Sequence, residues 1–127
     1  MKISLTDREA DLMHVLWEHG PCIVAEVREH LKDDLAYTTV LSILRTLEAK
    51  GYVRHEEEGR GHRYITKVQQ HAARKSALKH LTDKFFKGSA ELLFTHLVSE
   101  QKLPAEQIKR MHALLAEKAD KKADEKE

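Results

Sequence analysis

The sequence predicts a mainly α-helical protein with one small β-hairpin. Three observations carry that reading. Only 5 Gly and 2 Pro punctuate 127 residues, so helices meet few breakers. The apolar period is helical as far as Gly51, alternates over Tyr52–Thr66, and turns helical again afterwards. The order of three helices and then a hairpin is that of a winged helix-turn-helix head, and the helices beyond it form a C-terminal helical dimerisation region.

The first helix starts at Thr6. Thr6-Asp7-Arg8-Glu9 reads as a capping box, in which the Thr hydroxyl takes the Glu9 amide and the Glu9 carboxylate reaches back. Ala10, Met13, Leu16 and Trp17 recur at helical spacing, with Leu12 and Val15 beside them. His19-Gly20-Pro21 stops the helix, because Gly suits a left-handed cap and Pro cannot continue. Cys22-Ile23 is a short extended piece. Val24 to Lys32 is a second, short helix with Val27 and Leu31 inward, and Asp33-Asp34 marks a turn. A third helix runs from about Ala36 to Lys50. Tyr52–Glu56 and His62–Thr66 are the strands, with Glu58-Gly59-Arg60-Gly61 as the tip.

Beyond Lys67 an amphipathic helix is expected across Gln69–Phe86, broken by Lys87-Gly88-Ser89. A second apolar stretch follows at Leu92–Val98. A third begins at Leu103-Pro104, where Pro suits a first helical turn. The expected division is a DNA-binding head at 1–67, a helical dimerisation region at 68–118 and a disordered tail at 119–127. The tail has only Ala among its charges. Short helices bearing many large apolar groups bury too little surface alone. An isologous homodimer resolves this, with Leu78, Leu81, Phe85, Leu93, Leu97, Ile108, Met111 and Leu115 at the dimer contact.

Composition narrows the function. The formal net charge is only +1, which excludes a uniformly basic binder and leaves local placement to build any anion-binding surface. The head is slightly acidic and the remainder slightly basic. A single cysteine, Cys22, excludes an internal disulfide framework and fits a reducing, cytoplasmic setting. No apolar h-region opens the chain and no run approaches about 18 apolar residues, so neither signal peptide nor membrane insertion is expected.

The third helix separates into two faces. Val40, Ile43, Leu44 and Leu47 should pack inward, while Thr38, Thr39, Ser42, Arg45 and Thr46 point away. No Asp or Glu lies between Leu35 and Leu47, so no carboxylate on that face would repel phosphate. Small hydroxyls bond phosphates and base edges, and Arg45 reaches a phosphate or a guanine. Leu41 sits on the boundary, as core or as a contact to a thymine methyl. On the hairpin, Arg60, His62 and Arg63 complete the candidate DNA-binding set, with Arg54 across from them. Glu56, Glu57 and Glu58 give the wing both signs of charge, so its Arg60–Arg63 side is the one expected to approach DNA.

Nine histidines invite a metal or catalytic reading. No two His stand four apart, and no His-Glu-x-x-His, Gly-x-Ser-x-Gly, P-loop or Cys/His nucleophile pattern occurs. No cofactor, metal or catalytic residue is therefore expected, and the protein does not read as an enzyme. Cys22, beside the Gly-Pro turn, reads as a small packed residue. A DNA-binding repressor is the leading function. A winged-helix protein-interaction module, and a regulator responsive to a small molecule or metal, stay open beside it.

Five segments also resemble one family. They are Leu5-Thr6-Asp7-Arg8-Glu9-Ala10 leading to Leu16-Trp17, Ala36-Tyr37-Thr38-Thr39-Val40-Leu41, Leu47-Glu48-Ala49-Lys50-Gly51-Tyr52-Val53, Gly59-Arg60-Gly61-His62-Arg63-Tyr64, and Leu103-Pro104-Ala105-Glu106-Gln107-Ile108. Over about residues 3–118 the chain resembles the penicillinase repressor group of bacterial winged-helix regulators, which includes the β-lactamase, methicillin-resistance and copper-operon repressors. The resemblance implies a homodimer that occupies an inverted repeat in promoter DNA and blocks transcription. It places Thr38, Thr39, Ser42 and Thr46 in the recognition helix and Arg60–Arg63 in the wing. Where Leu41 stands here, some antibiotic-resistance members carry a basic residue, which implies a different base preference. Those members are released when a membrane sensor peptidase triggers a cut at an Asn-Phe pair, and position matching puts His96-Leu97 there. Copper-responsive members end in Cys-x-Cys, which this tail lacks.

Overall fold

The computed structural model describes residues 2–125. Helix α1 spans Asp7–His19, strand β1 Cys22–Ile23, helix α2 Val24–His30 and helix α3 Tyr37–Ala49. Strands β2, Val53–Glu58, and β3, Gly61–Thr66, form the hairpin. Helices α4, Gln70–Phe85, α5, Ala90–Glu100, and α6, Ala105–Glu125, complete the chain. The fold is mostly helical with a small antiparallel sheet, as the periodicity indicated.

The capping box forms as read. The Thr6 hydroxyl accepts from the Glu9 amide and the Glu9 carboxylate accepts from the Thr6 amide at 2.8 Å. Gly20 ends α1, but not with a left-handed α cap. Its φ of 81° and ψ of −166° lie in an extended, positive-φ region that only glycine enters freely. That geometry turns the chain straight into β1. Cys22 and Ile23 then pair with Tyr64 and Arg63, so the expected hairpin is a three-stranded sheet ordered β1-β3-β2. Two residues are too few to show alternation, which is why the sequence showed only an extended piece there.

The two compact units are Met1–Leu81 and Thr82–Glu127. In the first, apolar faces of α1, α2 and α3 close over one side of the sheet. Leu12, Met13, Val27, Val40, Leu44 and Leu47 are fully buried there, together with Val53 and Tyr64 of the sheet. Ile43 and Leu41 are half-buried against this core, so Leu41 is a packing residue at its edge. Trp17 is also half-buried, and its indole N–H donates to the Val68 carbonyl at 3.0 Å. The start of α4 belongs to this unit: Ala73 is in the core, and Ser76 Oγ accepts from the Ile3 amide at 2.8 Å and donates to its carbonyl at 3.0 Å.

The second unit contains the end of α4, α5 and α6. Ser89 caps α5 by accepting from the Leu92 amide at 3.0 Å. Neither α5 nor α6 contains a buried residue. Helix α6 continues through 119–125, a stretch for which disorder was expected; residues 126 and 127 of that stretch lie outside the described residues.

Candidate nucleic-acid interface

Helix α3 presents its two faces as its spacing dictates. Val40, Leu44 and Leu47 anchor it, and Thr38, Thr39, Ser42, Arg45 and Thr46 are exposed along the opposite side. The first turn contains no acid. Thr46 Oγ donates to the Ser42 carbonyl at 3.1 Å, so its hydroxyl is left to accept only. Among the described residues, the hydroxyls of Thr38, Thr39 and Ser42 and the guanidinium of Arg45 make no hydrogen bond or ion pair. Tyr37, at the start of this face, is 46% exposed, and the sequence reading had not singled it out. An aromatic at a helix N-terminus that leaves the core is the signal that could have marked it.

The wing is ordered by its charges. Directly across the ladder from Arg63 stands Glu56, yet Arg63 does not pair with it. Arg63 Nε donates to Glu58 Oε2 at 2.9 Å and its Nη2 lies 2.6 Å from the same oxygen. Its Nη1 donates to the Pro21 carbonyl at 2.9 Å and to Glu26 Oε1 at 3.4 Å. Glu56 is taken instead by Arg54, at 2.9 Å. Arg60 stays exposed at the two-residue turn, where Gly59 supplies a φ of 60°, and it has no ion pair among the described residues.

On the sheet's other face, His62 stacks on His55 with ring centroids 4.2 Å apart. His55 Nδ1 lies 2.6 Å from Glu48 Oε2, in the last turn of α3. The expected DNA-binding trio of Arg60, His62 and Arg63 thus separates into three settings: a free tip cation, a ring stacked toward α3, and a guanidinium turned back onto β1 and α2. Alternation along β3 sends the adjacent His62 and Arg63 to opposite faces of the sheet.

Cys22 is buried, and its thiol donates to the Gly20 carbonyl at 3.2 Å. Burial pushes the thiol above its ordinary range, Glu26 adds to this and Arg63 opposes it. The thiol is therefore a poor nucleophile, as a packed residue should be. Near the ends of α1 and α2, His19 and His30 stack at 3.8 Å beside a polar cleft of about 390 Å³. Among the described residues, no group of three or more His, Cys, Asp or Glu is arranged to hold a metal ion. Also among them, no helix is long and apolar enough to cross a membrane.

A family model described as penicillinase repressor matches residues 5–117. The chain belongs to the penicillinase repressor family. It is accordingly a DNA-binding transcriptional repressor and not an enzyme. It is similar to the penicillinase repressor of Bacillus licheniformis, with 22% identity over 123 residues, covering 95% of this chain and 96% of the relative. Among solved structures it is similar to the Bordetella bronchiseptica regulator BpsR, whose DNA binding is regulated by 6-hydroxynicotinic acid. That match has 15% identity, a TM-score of 0.47, and covers 92% of this chain and 76% of the other. A MarR family regulator from Neisseria meningitidis matches with 19% identity and a TM-score of 0.44, over 97% of this chain and 82% of that one.

The eight residues assigned to dimer contacts lie on α4, α5 and α6. None is buried: Leu78, Leu81, Phe85, Leu97, Ile108 and Leu115 are exposed, and Leu93 and Met111 are half-buried. His96 and Leu97 are exposed in the middle of α5, with His96 in edge contact with Phe86.

Proposed function

We propose that this repressor works as a homodimer whose two winged heads occupy an inverted repeat in promoter DNA and exclude the transcription machinery. The carrying observation is the exposed α3 face of Thr38, Thr39, Ser42 and Arg45, free of acids and with no side-chain hydrogen bond or ion pair among the described residues. Hydroxyls and a guanidinium on such a face suit phosphate oxygens and base edges. Self-association is supported by the second unit. Its helices contain Leu92, Phe94, Leu97, Val98 and Leu114 with no buried position among them. Apolar surface of that kind gains from burial against a second copy. Two linked heads raise the effective concentration of the second contact, so dimerisation and affinity are coupled.

Release by proteolysis near His96-Leu97 fits this scheme, because a cut there would divide α5. A peptidase acts on extended backbone, so α5 must unwind locally first, which its exposed, unburied character makes inexpensive. A membrane sensor peptidase remains the partner that the family suggests for that step.

The test combines DNA binding with sedimentation. The protein should bind a duplex from upstream of its own gene, with affinity falling steeply as salt rises. Leu97→Asp should sediment as a monomer and bind more weakly. A protein that is monomeric at micromolar concentration and indifferent to that duplex would refute the proposal.

A further inference from the structure

We infer that Arg63 is a positioning residue that sets the angle of the wing, and that Arg60 is the cation through which the wing meets DNA. The inference rests on the DNA-binding function proposed above and divides a pair of arginines that the sequence treated alike. Arg63 lies on β3, the central strand, and is 31% exposed. Its three guanidinium nitrogens all have acceptors. Two carboxylates and one carbonyl hold it, and they come from three places: Glu58 at the end of β2, Pro21 before β1 and Glu26 in the first turn of α2.

Those acceptors tie together the parts that must be in register on DNA. Glu26 Oε1 also accepts from the Ile23 amide at 3.0 Å, so the same oxygen starts α2 and receives Arg63. Glu58 is the last residue of β2, immediately before the Gly59-Arg60 turn. A planar fork with fixed donor directions suits such a bridge, whereas a lysine offers only a point charge. If Arg63 swung to a phosphate it would abandon Glu58 and Glu26 and leave two carboxylates facing DNA. Arg60 has no such ties, and its exposed place at the turn leaves its charge available.

The experiment measures affinity for a fluorescent duplex from the gene's own upstream region across a salt series, well below the melting temperature. Arg63→Gln and Arg63→Lys should both bind about three- to tenfold more weakly, with the salt slope unchanged. Glu58→Ala should also weaken binding, although removing an acid would by charge alone tighten it. Arg60→Gln should lower the slope by about 0.9, the loss of one phosphate contact. Glu58→Ala, altered at a solvent-exposed carboxylate, decides the matter if an Arg63 variant fails to fold. The inference is overturned if Arg63→Gln lowers the slope and Arg63→Lys restores affinity, or if Glu58→Ala binds as tightly as the unaltered protein or more so. Absence of any salt-dependent binding by the unaltered protein would remove the proposed function itself, and this assignment with it. That outcome is distinct from one in which only the Arg63 variants disagree.

Discussion

Lys50 Nζ lies 2.8 Å from Glu9 Oε1, linking the C-cap of α3 to the first turn of α1. The Glu9 side chain is 5% exposed and that of Lys50 36%. Glu9 therefore does two jobs, capping its own helix and anchoring the far end of α3. Burial alone would raise its pKa, but the Lys50 ammonium and the Thr6 bonds outweigh this and hold the carboxyl below its ordinary 4.5.

Replacing Lys50 with Met should leave a buried carboxylate without its counter-charge and cost about 1–3 kcal/mol, read from urea midpoints at neutral pH. The pH dependence has a definite sign. A carboxyl whose folded value is depressed contributes stability above its unfolded value, and that contribution is lost as pH falls through the folded one. The unaltered protein should thus lose stability below about pH 4.5, and Glu9→Gln should flatten that part of the curve. Identical acid limbs in both proteins would contradict the role assigned to Glu9.

Gly20 tests backbone conformation in isolation. A Cβ added there would meet nothing within 4 Å, so any loss is conformational and not steric crowding by neighbours. Gly20→Ala should cost about 1–3 kcal/mol, because φ of 81° with ψ of −166° is a region that L side chains avoid. An unchanged urea midpoint would show that the α1–β1 turn relaxes freely.

Cys22 should resist disulfide reagents in the folded protein and react only after denaturation. Its 3% exposure, raised pKa and bond to the Gly20 carbonyl all disfavour a reactive thiolate. Stoichiometric labelling within seconds under native conditions would contradict this.

Arg45→Ala should weaken DNA binding about tenfold and lower the salt slope by about 0.9, without changing the sedimentation coefficient of the free protein. Arg45 is exposed and makes no hydrogen bond or ion pair among the described residues, so its loss should not move the melting temperature by more than a degree or so. A large drop in stability with unchanged binding would reverse the assignment of that helix face.

Local rules accounted for much of the molecule. The capping box at Thr6 and Glu9 involves residues three apart, and the alternate faces of α3 follow from 3.6 residues per turn. Cys22-Ile23 could be read as extended, but not as a third strand, because its partners Tyr64 and Arg63 lie some forty residues on. The ties of Arg63 to Pro21 and Glu26 were hidden for the same reason.

The wing makes the distinction sharpest. The amino-acid order alone determined that a hairpin exists, where its tip falls, and that basic and acidic side chains share it, since these depend on alternation and turn chemistry among neighbours. Which arginine is bound inward and which stays free was decided only by tertiary structure. That choice depends on which carboxylates the packing of β1 and α2 brings within reach of β3. Distance along the chain carries no information about it, because contacts between remote segments are set by burial of the shared core.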